Sequence, residues 1–189
     1  MRRTITLLCL LTVFAGTLTA QEADTTYWTR KALGTFTFTQ VNLNNWAGGG
    51  NNSVSLNSNL VFNANYAKDR VTWQNGLDLA YGLVDQGGVG FQKSDDKINF
   101  ITKFGYNLKP EQGKFYWSSL IDFRTQFANG FAVPEDPERI STFMAPGYLV
   151  ISTGLEYAPN DKFSVSYGPL TGKVTFVLDD SLSSVGAFG

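Results

Sequence analysis

The sequence predicts an all-β protein, an antiparallel up-and-down transmembrane β-barrel, and three observations carry that prediction. Of the fourteen positions from Ser53 to Tyr66, twelve alternate between apolar and polar, the period of a strand with two different faces. The polar positions are Asn and Ser rather than the Lys and Glu of a soluble surface. The predicted connections alternate long and short, as in bacterial outer-membrane barrels.

The composition limits the function classes. The chain has 189 residues, of which 43% are apolar, 14% aromatic and only 16% charged, so one domain of low charge is expected. A basic nucleic-acid footprint is absent. The sequence contains no histidine, and its single cysteine is Cys9. Because these residues supply most hydrolytic triads and many metal sites, we expect no catalytic residues, no metal, no cofactor and no enzymatic activity.

The N-terminus has the pattern of an export signal. Arg2 and Arg3 precede the apolar run Ile5–Leu18, and Ala20 is the expected cleavage residue. We therefore predict a signal peptide over residues 1–20, a periplasmic lead-in over 21–32 and an outer-membrane barrel domain over 33–189. The expected location is the outer membrane of a Gram-negative cell. The expected partners are outer-membrane lipid and the barrel-assembly machinery, and no nucleic acid.

Each strand is predicted from its alternation. In Val71–Val84, for example, Trp73, Leu77 and Leu79 share one face. The predicted strands are Leu33–Leu43, Ser53–Ala67, Val71–Val84, Lys97–Leu108, Lys114–Ala128, Gly147–Ala158 and a seventh from Lys162. Pro169 interrupts the seventh, and Lys173–Leu178 either continues it or forms an eighth. The end, Ser181–Gly189, is small and flexible in character.

The connections predict an orientation. The first, third and fifth are long, namely Asn44–Asn52, Asp85–Asp96 and Asn129–Pro146, and the others are short. Since the N-terminus emerges in the periplasm, the first strand runs outward and the long connections are external.

Two sets of residues follow from the faces. The predicted lumen-facing polar network is Asn57, Asn59, Asn63, Asp78, Lys103, Asp122, Arg124 and Glu156. The predicted aromatic girdle at the periplasmic interface is Tyr66, Trp73, Tyr106, Trp117 and Tyr157, with Tyr81, Phe127 and Tyr148 forming a thinner outer girdle. The charged network lines a substrate or proton path, or is a structural set of paired charges, and the second interpretation is favoured.

Three loop features are weaker candidates. Gly48–Gly50 lacks the Lys-Ser/Thr of a phosphate-binding loop, so a surface loop is predicted. Trp46 in the same loop contacts a ligand or lies at the interface. The loop acids Asp85, Asp95 and Asp96, and those at Glu135, Asp136 and Glu138, lack the spacing of a calcium loop and are predicted to be solvated.

A soluble secreted sandwich or lipocalin-like barrel is the alternative fold. Its apolar face would turn inward, but the many large aromatics exceed what a small interior holds. Several strands also reach about twelve residues, above the mode of roughly 5–6 in soluble folds.

The sequence resembles a known family. The segments that carry the resemblance are VNLNNWAGGGNNSVSLN, TWQNGLDLAYGLVDQG, KSDDKINF, YWSSLIDFRTQF and APGYLVISTGLEYAPNDKFSVSYGPLTGK. They resemble the outer-membrane barrels of Bacteroidetes-type bacteria classed as domain of unknown function 3078. The resemblance implies a larger barrel of unassigned activity with further strands, so the chain is expected to be a C-terminally truncated fragment.

The expected function is therefore that of a porin-like structural or transport barrel, either a narrow channel or a barrel with a filled lumen. The alternative is a binding or adhesion protein that acts through its extracellular loops.

Overall fold

The computed structural model describes residues 26–44, 48–111, 114–132, 138–160 and 162–189. The predicted signal peptide lies outside these residues, as do Trp46, Glu135 and Asp136. The elements are β1 Trp28–Val41, β2 Ser53–Lys68, β3 Val71–Gln86, β4 Gln92–Asn107, β5 Phe115–Thr125, β6 Gly130–Phe131, β7 Arg139–Ser141, β8 Gly147–Asn160, β9 Phe163–Phe176 and α1 Asp180–Ser184. No helix in the described part of the chain is long and apolar enough to cross a membrane.

The described residues form an antiparallel up-and-down sheet of seven strands. Its order, β1-β2-β3-β4-β5-β8-β9, follows the chain, and β6 and β7 form a separate hairpin within the connection from β5 to β8. The all-β, antiparallel, up-and-down prediction is therefore confirmed. Within the described residues, β1 pairs only with β2 and β9 only with β8.

Two strands begin earlier than predicted. β1 starts at Trp28 rather than Leu33, within the predicted lead-in. β4 starts at Gln92 rather than Lys97, because a β-bulge lets the β3–β4 pair continue past the break in alternation. Gly82 pairs with Asp95 and Leu83 with Lys93, so Ser94 is the extra residue of the bulge.

The longer β3 and β4 shorten the third connection to residues 87–91, whereas the fourth spans 108–114. The predicted strict alternation of long and short connections is therefore wrong at this hairpin.

The interruption predicted at Pro169 is also wrong, since β9 is continuous from Phe163 to Phe176. Thr153 pairs with Leu170 and Leu155 with Tyr167, so two β9 residues, Gly168 and Pro169, oppose one residue of β8. Proline is accommodated in such a bulge and on an edge strand because its missing N–H breaks no ladder bond there. The predicted flexible end contains α1, whose N-cap residue is Asp179.

The sheet has two chemically different faces. We call the face that carries Leu60, Trp73 and Ile121 the apolar face, and the face that carries Asn59, Asp78 and Asp122 the polar face. Cross-strand register keeps each set together, since Leu60 pairs with Leu79 and Asn59 with Ala80. The polar face also holds apolar residues, among them Ile101, Leu120 and Val150.

Within the described part of the chain, the apolar face is uncovered. Its exposed large side chains are Phe36, Phe38, Leu60, Phe62, Trp73, Tyr81, Phe100, Tyr106, Phe115, Trp117, Ile121, Ile151, Leu155, Tyr157, Phe163, Val165, Tyr167, Leu170 and Val174. Among the described residues, the buried apolar ones are Ala80, Ala145 and Leu182. The strands therefore do not enclose an ordinary hydrophobic core.

Candidate functional site on the polar face

Three ion pairs occupy the middle strands of the polar face. Lys97 Nζ lies 2.6 Å from Asp78 Oδ2, and Lys103 Nζ lies 2.6 Å from Glu156 Oε1. The Arg124 guanidinium donates to both oxygens of Asp122, from Nε at 2.9 Å and from Nη2 at 2.5 Å. Asp122 and Glu156 are buried, so their charges need these partners.

The Lys103–Glu156 pair crosses a row of small residues. Lys103 lies on β4 and Glu156 on β8, so the pair reaches across β5. The register row between them is Gly105, Ser118 and Gly154, which pair in that order. A Cβ atom at Gly154 would lie 2.0 Å from the carbonyl oxygen of Tyr167, so this position has no space for a side chain.

The predicted asparagines lie on the same face but outside the ion pairs. Asn57 covers Gly82, where an added Cβ would lie 2.2 Å from the Asn57 Oδ1 atom. Asn63 lies beside Gly76, where an added Cβ would lie 3.6 Å from the Asn63 Oδ1 atom. Asn59 pairs with Ala80. The sheet thus places all eight predicted network residues on one face and joins five of them in ion pairs.

Sequence reasoning missed three residues of this face. Lys97 occupies an odd position of β4, as do Asn99 and Lys103, so the alternation of β4 already placed it on the polar face. Tyr148, predicted for the outer girdle, lies on the polar face opposite Arg124. Lys173 packs against it, with Nζ 5.0 Å from the Tyr148 ring centroid. The outer-girdle assignment of Tyr148 is therefore wrong. Tyr148 occupies an even position of β8, as do Ser152 and Glu156, and this alternation could have placed it on the polar face.

A band of aromatic side chains crosses the apolar face near the β2–β3, β4–β5 and β8–β9 connections. The five predicted girdle residues belong to it: Tyr66 pairs with Trp73, Tyr106 with Trp117, and Phe115 with Tyr157. The rings contact one another, with centroids 4.5 Å apart for Phe115 and Tyr157 and 6.2 Å apart for Phe104 and Trp117.

Trp28, which sequence reasoning left in the lead-in, extends this band onto β1. Its ring centroid lies 5.2 Å from that of Tyr66 and 5.9 Å from that of Trp73. The alternation of β1 could have predicted this, because Trp28 occupies an even position, as do Phe36 and Phe38.

Charged side chains fix the connections at the opposite end of the sheet. Asp96 accepts hydrogen bonds from the backbone N–H groups of Phe127 at 2.7 Å and Ala128 at 2.9 Å. Lys93 donates to Asp96 at 2.7 Å and to the Ala128 carbonyl at 2.9 Å. The Asp96 side chain is only 3% exposed, so the prediction of a solvated loop acid is wrong for this residue.

Asp85 and Asp95 lie in β3 and β4 rather than in a loop. Within the described ranges, no group of three acidic, histidine or cysteine side chains is arranged to hold a metal ion.

A further ion pair joins the β6–β7 hairpin to the segment after β9. Arg139 donates to Asp179, which also accepts hydrogen bonds from the Ser181 hydroxyl and, at 3.1 Å, from the Leu182 N–H. The Ser181 and Leu182 hydrogen bonds hold the pKa of Asp179 below its usual value, with a further contribution from the Arg139 charge. Asp179 thus caps α1 and anchors it to the hairpin.

Comparisons with known proteins agree with the resemblance in the sequence. No curated protein and no solved structure matches the chain. A family model described as "Protein of unknown function (DUF3078)" matches residues 38–131, which run from the end of β1 through β6. Through these residues, the chain belongs to the DUF3078 family of proteins of unknown function.

Proposed function

We propose that this chain forms part of an outer-membrane β-barrel whose apolar face contacts lipid and whose polar face lines the lumen. The observation that carries the proposal is the contrast between the two faces. One exposes aromatic and aliphatic side chains from every strand of the sheet, and the other carries the buried carboxylates Asp122 and Glu156. This is the arrangement of a barrel in lipid, with apolar residues outside and polar residues inside.

A soluble fold accounts less well for the same sheet. Soluble monomers rarely expose contiguous apolar patches above a few hundred Å². A lipocalin-like barrel would direct Phe62, Phe100 and Ile121 into its interior, and the ion pairs would then face water. Exposed ion pairs contribute little to stability, so the soluble arrangement gives these buried carboxylates no evident purpose.

The strands are long enough to cross the apolar part of a bilayer. β2, β3 and β4 each have 16 residues, and β5 has 11. At about 3.3 Å per residue and a tilt of about 45°, they span roughly 37 Å and 26 Å along the membrane normal. The apolar band of an outer-membrane barrel is about 25 Å tall.

The paired charges favour a structural or transport role without catalysis. Lys97, Lys103 and Arg124 each bind a carboxylate on the polar face, which is how a narrow or filled lumen satisfies its charges. A barrel of this kind is a narrow channel or a closed scaffold.

Cell fractionation tests the membrane assignment. The protein, expressed with its N-terminal segment, is expected in the outer-membrane fraction and is expected to change its gel mobility when heated before loading. Recovery as a soluble periplasmic monomer would contradict the proposal.

Conductance measurements in planar bilayers distinguish a narrow channel from a barrel with a filled lumen. A channel gives discrete conductance steps, and a filled lumen gives none. Lys103→Ala should create or enlarge the conductance if the Lys103–Glu156 pair blocks the lumen, whereas Arg30→Ala, which changes the apolar face, should not.

A binding role through the external connections is the second candidate. A cleft of about 540 Å³ lies between the β3–β4 connection and the β6–β7 hairpin, and Phe91, Phe131 and Ile140 contribute to its walls. These three side chains are about half exposed, although the Asp96 and Lys93 hydrogen bonds fix the backbone beside them.

Phe91→Ser with Phe131→Ser should abolish adhesion of expressing cells to a surface while leaving the heat-dependent gel shift intact. The matched control is Val185→Ser, another exposed apolar residue outside the cleft. Unchanged adhesion in the Phe91/Phe131 variant would argue against this candidate.

A further inference from the structure

A cavity on the polar face brings cationic groups of two strands together. It has a volume of about 360 Å³ and is lined by Asp122, Arg124, Tyr148, Val150 and Lys173. These residues come from β5, β8 and β9, where Arg124 pairs with Tyr148, and Val150 pairs with both Asp122 and Lys173. We call it the cationic cavity.

Asp122 is already paired with one cation, Arg124. Both of its oxygens accept hydrogen bonds from Arg124, and its side chain is 12% exposed. The Arg124 side chain is 62% exposed. A guanidinium carries five N–H donors, and Asp122 engages its Nε and Nη2 groups, so the Nη1 donors remain for another acceptor.

Lys173 adds a second positive charge to the cavity. Its ammonium group lies over the Tyr148 ring, and no carboxylate of the described residues lies within 4.0 Å of it. Lys97 and Lys103, by contrast, each bind an acid on the same face. The cavity therefore holds two cations and one anion, a net charge of about +1.

We propose that the cationic cavity binds a small oxyanion, such as phosphate or a carboxylate, between Arg124 and Lys173. A guanidinium presents paired donors that match the oxygens of such an anion, and an ammonium supplies a second charge. The Tyr148 ring holds Lys173 in place through its contact with the ammonium group. The inference rests on the proposed function, which places this cavity in the lumen of a barrel. An anion site in that position would make the barrel selective for anions.

Calorimetric titration of inorganic phosphate into the full chain, refolded in detergent at low chloride, tests the site. The unmodified protein is expected to bind phosphate. Lys173→Gln and Arg124→Gln should each weaken binding about tenfold or more, because each removes a charged hydrogen-bond donor. Lys173→Arg should retain binding because it keeps the charge.

Lys31→Gln is the matched control. Lys31 lies on the polar face of β1, at the far end of the register row that contains Lys173, and outside the cavity. Phosphate affinity should be unchanged in this variant. Equal weakening by Lys31→Gln and Lys173→Gln would mean diffuse attraction to the face and would overturn the site.

The two proposals fail separately. No phosphate binding by a protein that shows the heat-dependent gel shift overturns only the anion site. A protein found soluble in the periplasm overturns the barrel, and phosphate binding remains measurable on it.

Discussion

At the residue scale, the sequence predicted the face of a side chain better than its partner. The alternation in β2 assigned Leu60 and Asn59 to opposite faces, and the register places them so. Partners were harder to predict, because Lys103 and Glu156 are 53 residues apart and meet across a third strand. Asp96 shows the same limit: its burial comes from two amides on another connection, which no local pattern reveals.

The two faces of β2 allow a matched comparison. Leu60→Arg should lower the free energy of unfolding from lipid vesicles by about 2–4 kcal/mol, because it places a charge against hydrocarbon near the membrane midplane. Asn59→Arg, one residue away, should cost much less because it faces the polar side. Urea unfolding followed by tryptophan fluorescence measures both, and equal losses would show that the faces are assigned wrongly.

The burial of the ion pairs predicts unequal effects on stability. Lys103→Met leaves the buried Glu156 without a cation, so we expect a loss of about 1–3 kcal/mol. Lys97→Met should cost less than about 1 kcal/mol, because the Lys97 and Asp78 side chains are 42% and 32% exposed and water replaces the lost partner. The same unfolding assay compares them; a larger loss for Lys97→Met would contradict this order.

At the element scale, the prediction of β2 was accurate, whereas those of β4 and β9 failed at bulges. The predicted β2, Ser53–Ala67, differs from the observed strand only by Lys68. β4 was cut short because Ser94 shifts the alternation by one residue, and β9 was divided because Pro169 looks like a terminator. A bulge is visible only from the partner strand, so a single sequence cannot distinguish it from the end of a strand.

The β8–β9 bulge makes Gly154 a critical position. Gly154→Ala places a methyl group 2.0 Å from the Tyr167 carbonyl oxygen, so β9 must shift, and we expect a loss of about 2 kcal/mol or more. Gly172→Ala is the control, because a Cβ there meets no atom within 4 Å. The fraction of each variant that shows the heat-dependent gel shift after refolding measures the difference, and similar yields would argue against the bulge.

At the scale of the whole molecule, the proposed membrane location predicts a depth for the aromatic band. Trp28, Tyr66 and Trp73 lie side by side at one end, while Leu60 and Phe100 lie nearer the middle of their strands. Aromatic rings with a polar atom favour the lipid interface, so if the sheet lies in a membrane as proposed, we expect this end at the level of the headgroups.

Lipids brominated at different depths test that placement. A variant that retains only Trp73 should be quenched most by bromine near the headgroup. A Leu60→Trp variant that lacks the native tryptophans should be quenched most by bromine near the chain ends. Maximal quenching at one common depth would contradict the proposed position of the band.

The order of the seven strands also restricts how this sheet can close into a barrel. Successive strands point in opposite directions, so β1 and β9, the first and the seventh, point the same way. Direct pairing of their free edges would be parallel. A closed barrel in which all neighbouring strands are antiparallel therefore needs an odd number of further strands between β9 and β1, whichever chain supplies them. The total number of strands is then even.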